Sequence, residues 1–292
     1  MTIDSCRRVA VVTGASAGIG KATARILVGQ GWQVIGTGRN PARSAEAIAE
    51  IQAAADGGGS FTMLQGDFDS MADVKRVAQD ICALTARLDV LINNAGGVRD
   101  RIIKTAEGTE ATFAANHLAP FLLTRELLPR LREAVASQPA GSVRVIAVSS
   151  TAHRYSQGFD FDDLQGFKTG NAGGAYCKAK LANILFTREL ARRVAADGIV
   201  AHAMHPGLVA SNFASHADET MQAHFSKSPD TVAPDEPAET IVWLATDPEG
   251  GRQAGRYFHL KAEEVPGEVA LDDAAASRLW DESEKVLAGL GY

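Results

Sequence analysis

Cysteine is scarce in this chain. Cys6, Cys82 and Cys177 are the only three among 292 residues. An odd number without metal-type spacing excludes a disulfide framework and leaves free thiols in a reducing compartment as the expectation. An excess of positive charge is also missing. Lys and Arg number 29 against 35 Asp and Glu, a net charge of -6, which argues against a general nucleic-acid binder with a basic stripe. No run approaches the ~18 apolar residues needed to span a bilayer. The opening MTIDSCRRVAVVTG passes straight into a strand-like segment with no apolar signal region. These absences predict a cytoplasmic protein without a membrane anchor. Seven histidines include the pair His202 and His205, but no cysteine or carboxylate stands close in sequence to complete a metal site, so no metal is expected.

What is present is the composition of a soluble globular chain, 46% hydrophobic and 22% charged. Short β-branched runs alternate with longer segments of helical period. The strand-like runs are RVAVVTG (8–14), QVIGTG (33–38), SFTMLQG (60–66), DVLINNA (89–95), VRVIAVSS (143–150), IVAHAMHP (199–206) and a final GRYFHL (255–260). Helical periodicity covers 19–29, 41–55, 71–86, 109–135 and 175–196. Strand and helix in alternation, without hairpin signals, imply right-handed crossovers and a parallel sheet. Near-continuous apolarity of the strands implies that both faces are covered. The reading is a single α/β domain over residues 1–292, a Rossmann-type doubly wound fold with a mainly parallel seven-stranded sheet. Two irregular stretches, 151–174 and 207–236, follow strand carboxyl ends, where open α/β sheets bind ligands. They are the candidate substrate-side loops.

After the first strand comes GASAGIG, with Gly14, Gly18 and Gly20 at a strand-to-helix turn and Ser16 and Ile19 between them. Backbone can approach a pyrophosphate only where no Cβ intervenes, and the helix N-terminus then offers N–H groups and a favourable dipole. The second strand ends Gly36-Thr37-Gly38-Arg39-Asn40, with no carboxylate until Glu46. An acidic residue there would hold the 2′-OH of NAD(H). Arg39 could instead pair with a 2′-phosphate, with Thr37 and Asn40 adding hydrogen bonds, so NADP(H) is expected ahead of NAD(H).

Tyr176 and Lys180 share a helix face, being four residues apart. Alone, that spacing reads as ordinary amphipathicity. It does not stand alone. Thr13-Gly14-x-x-x-Gly18-x-Gly20, Asn93-Asn94-Ala95-Gly96, Asn116, Ser149-Ser150, Tyr176-x-x-x-Lys180 and Pro206-Gly207 occur in that order. The set resembles the short-chain dehydrogenase/reductase family over about residues 8–260. NHLAPFLLT (116–124), VSSTAH (148–153), YCKAKLANILFTRELARR (176–193) and HPGLV (205–209) are similar to the branch holding retinol dehydrogenases and the oxidoreductase domain of WW-domain-containing oxidoreductase.

That resemblance implies roles. Tyr176 would be the proton donor in carbonyl reduction, Ser150 would hydrogen-bond the substrate oxygen, and Lys180 would hold the nicotinamide ribose and depress the tyrosine pKa. Asn116 would bend its helix. Asp67 would meet the adenine, Asn94, Ala95 and Gly96 the ribose side, and Pro206, Gly207 and Val209 with Ser211 the nicotinamide carboxamide. Bringing a phenol from ~10 to about 7 requires roughly 4 kcal/mol, which one positive charge at ~4 Å supplies at an effective dielectric near 20. His153 and His205 lack a G-x-S-x-G nucleophile elbow and read as pocket or loop residues. The polar, glycine-rich segment between Ser150 and Tyr176 reads as a loop over the pocket mouth.

The implied activity is an NADP(H)-dependent oxidoreductase acting on a small, fairly apolar carbonyl or alcohol, as monomer or homodimer. A ketoreductase tailoring an aromatic polyketide-like product and a non-catalytic dinucleotide sensor are the alternatives. A sensor would have no need of the proton-transfer set.

Overall fold

Val9–Val12 forms strand β1 with all four side chains buried, and successive residues serve opposite faces. Val9 and Val11 join one core cluster, while Ala10 and Val12 join the other. The computed structural model describes residues 7–168, 170–210 and 230–292. Around β1 run helix α1 (Gly18–Gly29), β2 (Gln33–Gly38), α2 (Pro41–Gln52), β3 (Ser60–Gln65), α3 (Met71–Leu84) and β4 (Val90–Asn93). There follow α4 (Ala111–Phe113), a π-helical turn (Ala114–Leu118), α5 (Ala119–Val135), β5 (Arg144–Val148), α6 (Ala172–Arg193) and β6 (Val200–Met204). The last described elements are α7 (Asp235–Thr246), β7 (Arg256–His259), β8 (Ala262–Glu263) and α8 (Asp273–Gly289).

The sheet order is β3-β2-β1-β4-β5-β6-β7-β8. Every pairing is parallel except the last. This is the doubly wound α/β architecture. Among the described residues the sheet has eight strands where seven were expected. The eighth is a two-residue antiparallel edge reached through Leu260 and Lys261, whose φ values of 47° and 63° are those of the mirror-image turn that two-residue hairpins need. Leu-Lys is not a turn-forming pair, so the hairpin has no sequence signal.

The helical pattern over 109–135 is three pieces rather than one, because the π turn interrupts it at Ala114–Leu118. Glu110 starts the run, its Oε2 accepting from Phe113 N at 2.8 Å. The C-terminal helix α8, not anticipated from periodicity, completes the core on the α5–α6 side. Its Trp280 stacks on Phe186 at 5.7 Å and meets Phe121 at 4.7 Å. His117, inside the π turn, reaches Ser283 of α8 at 2.8 Å. Of the two irregular stretches, 151–174 contains short 3-10 turns and packs Phe159, Phe161 and Leu164 against the core. The described parts of 207–236 pair with each other through Val209 and Val232.

Candidate active site

The turns that leave β1 and β4 are stapled together. Thr13 Oγ1 accepts from the amides of Asn94 and Ala95, both at 2.9 Å, and Asn94 Nδ2 donates to Thr13 O at 2.8 Å. Here the chain turns toward β2 on one side of β1 and toward β5 on the other, the switch point where doubly wound sheets open a crevice. A cleft of about 540 Å³ lies along it.

Its floor is made by missing side chains. Gly14 has φ +70°, and a Cβ on Gly20 would stand 2.4 Å from Gly14 O. Both positions therefore require glycine if α1 is to start this close to the turn. Side chains cap α2, α3, α6 and α8. The N-cap of α1, Ala17, makes no side-chain cap bond, and no acidic residue stands in its first turn. The first-turn amides of α1 thus have no side-chain cap among the described residues, an arrangement that suits a pyrophosphate. By the chemistry of these donors a dinucleotide fits.

At one end of the cleft stand Thr37, Arg39, Asn40 and Asp67, joined by Arg43, Asp69 and Arg99, three residues that sequence reading did not single out. Thr37 is buried, and its Oγ1 accepts from Gly14 N at 3.2 Å. Asn40 Oδ1 accepts from Arg43 N at 3.0 Å and so caps α2. Arg39 Nη1 lies 3.7 Å from both Asp67 Oδ1 and Asp69 Oδ2.

At the other end lie Ser150, Tyr176, Lys180, Pro206, Gly207 and Val209. Gly14, Ser16, Gly18, Ile19, Asn94, Ala95 and Gly96 line the stretch between the two ends. Gly20 packs behind Gly14. Ser211 falls outside the described residues.

Tyr176 and Lys180 project from α6, the lysine only 4% exposed. Lys180 Nζ donates to Val148 O at 3.1 Å and lies 5.6 Å from the centre of the Tyr176 ring. Burial lowers the Lys180 pKa to about 8. Burial also pushes the Tyr176 phenol above its ordinary value, against the opposing effect of a hydrogen bond with the Ser150 side chain. The lowered phenol expected from Lys180 is therefore not what the protein groups produce by themselves. Desolvation acts on the tyrosine and on the lysine meant to tune it, weakening the charged form of both.

Asn116 sits in the π turn. Its Nδ2 donates to Thr112 O at 2.8 Å and Gly97 O at 2.9 Å, while its Oδ1 accepts from Gly97 N at 3.2 Å. A side-chain amide thus holds the loop after β4 to the opened turn. The two histidines brace loops. His153 Nε2 accepts from Gly267 N at 2.9 Å, so its Nδ1 carries the proton donated to Ser150 O at 2.6 Å. His205 Nδ1 accepts from Gly207 N at 3.3 Å, and its Nε2 reaches Glu264 at 2.7 Å. His153 addresses the carbonyl of Ser150 rather than its hydroxyl, which is not a nucleophile–base geometry.

The family model for short chain dehydrogenases matches residues 8–222. The chain is 36% identical to retinol dehydrogenase 14 of Homo sapiens, over 97% of this chain and 87% of that protein. It is 38% identical to retinol dehydrogenase 12 of Bos taurus, over 96% and 86%. Among solved structures, an uncharacterized protein from Mycobacterium Paratuberculosis superposes with a TM-score of 0.74 at 29% identity, covering 96% of this chain and 93% of that one. The RhlG/NADP active-site complex of Pseudomonas aeruginosa gives 0.69 at 25% identity, covering 92% and 98%.

Proposed function

The chain belongs to the short-chain dehydrogenase family, and from that premise we propose that it is an NADP(H)-dependent oxidoreductase interconverting a fairly apolar carbonyl compound and its alcohol. The observation that carries the reading is the hydrogen bond between Ser150 and Tyr176, placed with Lys180 in the same cleft as the uncapped start of α1.

When bound, the nicotinamide would supply or accept a hydride at C4. The protein's own part is proton and charge management. In the reduction direction the Tyr176 phenol donates its proton to the substrate oxygen as negative charge develops there. The Ser150 hydroxyl donates a second hydrogen bond to the same atom, an electrostatic role that needs no covalent intermediate. With a pKa of about 8, Lys180 is largely cationic at neutral pH and favours the phenolate that Tyr176 becomes. Asn116 fixes the loop that packs over Lys180. Ala115, Val148 and Val209 line the cleft and offer apolar surface to the carbon skeleton of an apolar alcohol or carbonyl compound, the class to which the retinol of the relatives' names belongs.

The preference for NADP(H) is supported by Arg39 and Arg43 at the far end of the cleft, by the lack of a carboxylate on the β2 turn, and by the NADP in a solved relative. The intact set Asn116, Ser150, Tyr176 and Lys180 favours an enzyme over a dinucleotide sensor. Titration with NADPH and NADH, followed by absorbance assays with retinal, aromatic ketones and medium-chain aldehydes, tests the reading. Tighter binding of NADPH and turnover of at least one apolar carbonyl are expected. Equal binding of the two cofactors would remove the NADP(H) assignment, and binding without turnover across the panel would favour the sensor.

A further inference from the structure

We propose that Arg99 is a second determinant of cofactor choice, acting through Asp69, an inference that rests on the NADP(H) reading above. The far end of the cleft holds three guanidinium groups, Arg39, Arg43 and Arg99, and two carboxylates, Asp67 and Asp69. A 2′-phosphate arriving there meets attraction from Arg39 and repulsion from the carboxylates beside it. How those carboxylates are already engaged therefore decides what a second phosphate gains.

The engagement is unequal. Arg99 Nη2 sits 2.7 Å from Asp69 Oδ1 and 2.6 Å from Oδ2, and its side chain is only 14% exposed. Arg39 Nη1 lies 3.7 Å from the same carboxylate, beyond hydrogen-bond length. Asp69 is thus shared between two guanidiniums, and Arg99 has the close half. Charge pairs at partly buried positions are screened less than exposed ones. Arg99 therefore offsets most of the negative charge that would otherwise face a phosphate, and it competes with Arg39 for the carboxylate.

Without Arg99, Asp69 would draw Arg39 into a close pair and oppose the phosphate directly. The NAD(H) ribose carries a neutral hydroxyl at this position and would be nearly indifferent to the exchange. Arg99 belongs to the loop after β4, while Arg39 directly follows β2, so the two meet only in the folded sheet. Asp69 is itself held in place, since its backbone N–H donates to Asp67 Oδ1 at 3.2 Å.

Calorimetric titration with 2′,5′-ADP and with 5′-AMP tests this, because the pair differ by the phosphate alone. The wild-type protein should bind 2′,5′-ADP more tightly. Arg99→Met should cut that preference about tenfold with 5′-AMP affinity nearly unchanged, the scale of one charge-assisted contact. Asp69→Asn added to Arg99→Met should restore the preference, because the uncompensated carboxylate is then gone. An unchanged preference in Arg99→Met, equal losses for both ligands, or no recovery in the double variant would overturn the inference. If Arg99→Met does not fold, Asp69→Asn alone decides: a raised preference supports the proposal, and an unchanged or lowered one overturns it. Equal binding of the two nucleotides by wild-type protein would overturn the NADP(H) reading itself, and this inference with it.

Discussion

Glu264 holds His205 by a 2.7 Å hydrogen bond to Nε2, and His205 Nδ1 accepts in turn from the amide of Gly207. A carboxylate just after β8 therefore steadies the Pro206–Gly207 turn at the nicotinamide end of the proposed site. Burial lowers the His205 pKa below 6.5, partly offset by Glu264. Protonation as pH falls through that lowered value would remove the acceptor for Gly207. Affinity for NADPH should therefore be steady near neutrality and fall on the acid side of 6.5. Glu264→Gln removes the partner that favours the cation, so the acid limb should move to lower pH. Fluorescence titration across pH 5 to 8 checks this, and a limb that stays in place would show that His205 does not control the turn.

Tyr176→Phe keeps the ring and deletes the proton donor. Turnover should fall by about 10²–10⁴-fold, the scale of a positioned acid. NADPH affinity should change little, because the phenol acts on the substrate oxygen. Steady-state rates beside a cofactor titration separate the two effects.

Gly96→Ala is a probe of the π turn. A Cβ there would stand 2.4 Å from Asn116 Oδ1 and 3.6 Å from Lys180 Nζ. The amide must move, and with it the hydrogen bonds to Gly97. Turnover should drop by at least about tenfold while thermal stability declines modestly, by about 1–3 kcal/mol, as overpacking does. Wild-type turnover in this variant would show that the Asn116 geometry has slack.

Acid stability should depend on His117. Ser283 donates to Leu279 O at 2.7 Å, so His117 Nε2 donates to Ser283, and Nδ1 is buried without a partner among the described residues. Burial lowers the His117 pKa from 6.5 to about 3. Its folded value lies below its unfolded one, so the unfolded chain binds the extra proton between these limits. Stability is full above pH 6.5 and declines as pH falls toward 3, and this residue accounts for about 2 kcal/mol at pH 5. His202, lowered to about 4, acts in the same direction. His117→Gln keeps a donor for Ser283 and does not titrate, so the loss of denaturation midpoint between pH 7 and 5 should shrink. An equal loss in variant and wild type would place the acid lability elsewhere.

The parts of this molecule written locally in the chain were legible before the fold was seen. β2 spans the residues that its apolar run marked, and the glycines of the first turn stand where backbone must approach backbone. The parts that depend on contacts between distant segments were not. Arg99 and Asp69 are neighbours only because the loops that follow β3 and β4 reach the same cleft. The α8 helix finds its place through Trp280 on Phe121 and Phe186, contacts with segments about 160 and 95 residues away. The direction of the Tyr176 shift was also beyond reach, because spacing places a charge near a phenol but says nothing of the water removed from both.

The place of β1 between β2 and β4 matters for how the chain is made. During synthesis the valines of β1 have a partner on one edge once β2 has emerged, but the strand that covers their other edge begins only at Val90. Until then an apolar, unpaired edge is open to any passing strand. The nascent chain therefore carries that open edge until the β4 turn that closes the crevice has been made. Substitutions that weaken α1 packing between β1 and β4 should lower soluble yield more than equal losses of stability placed near α8.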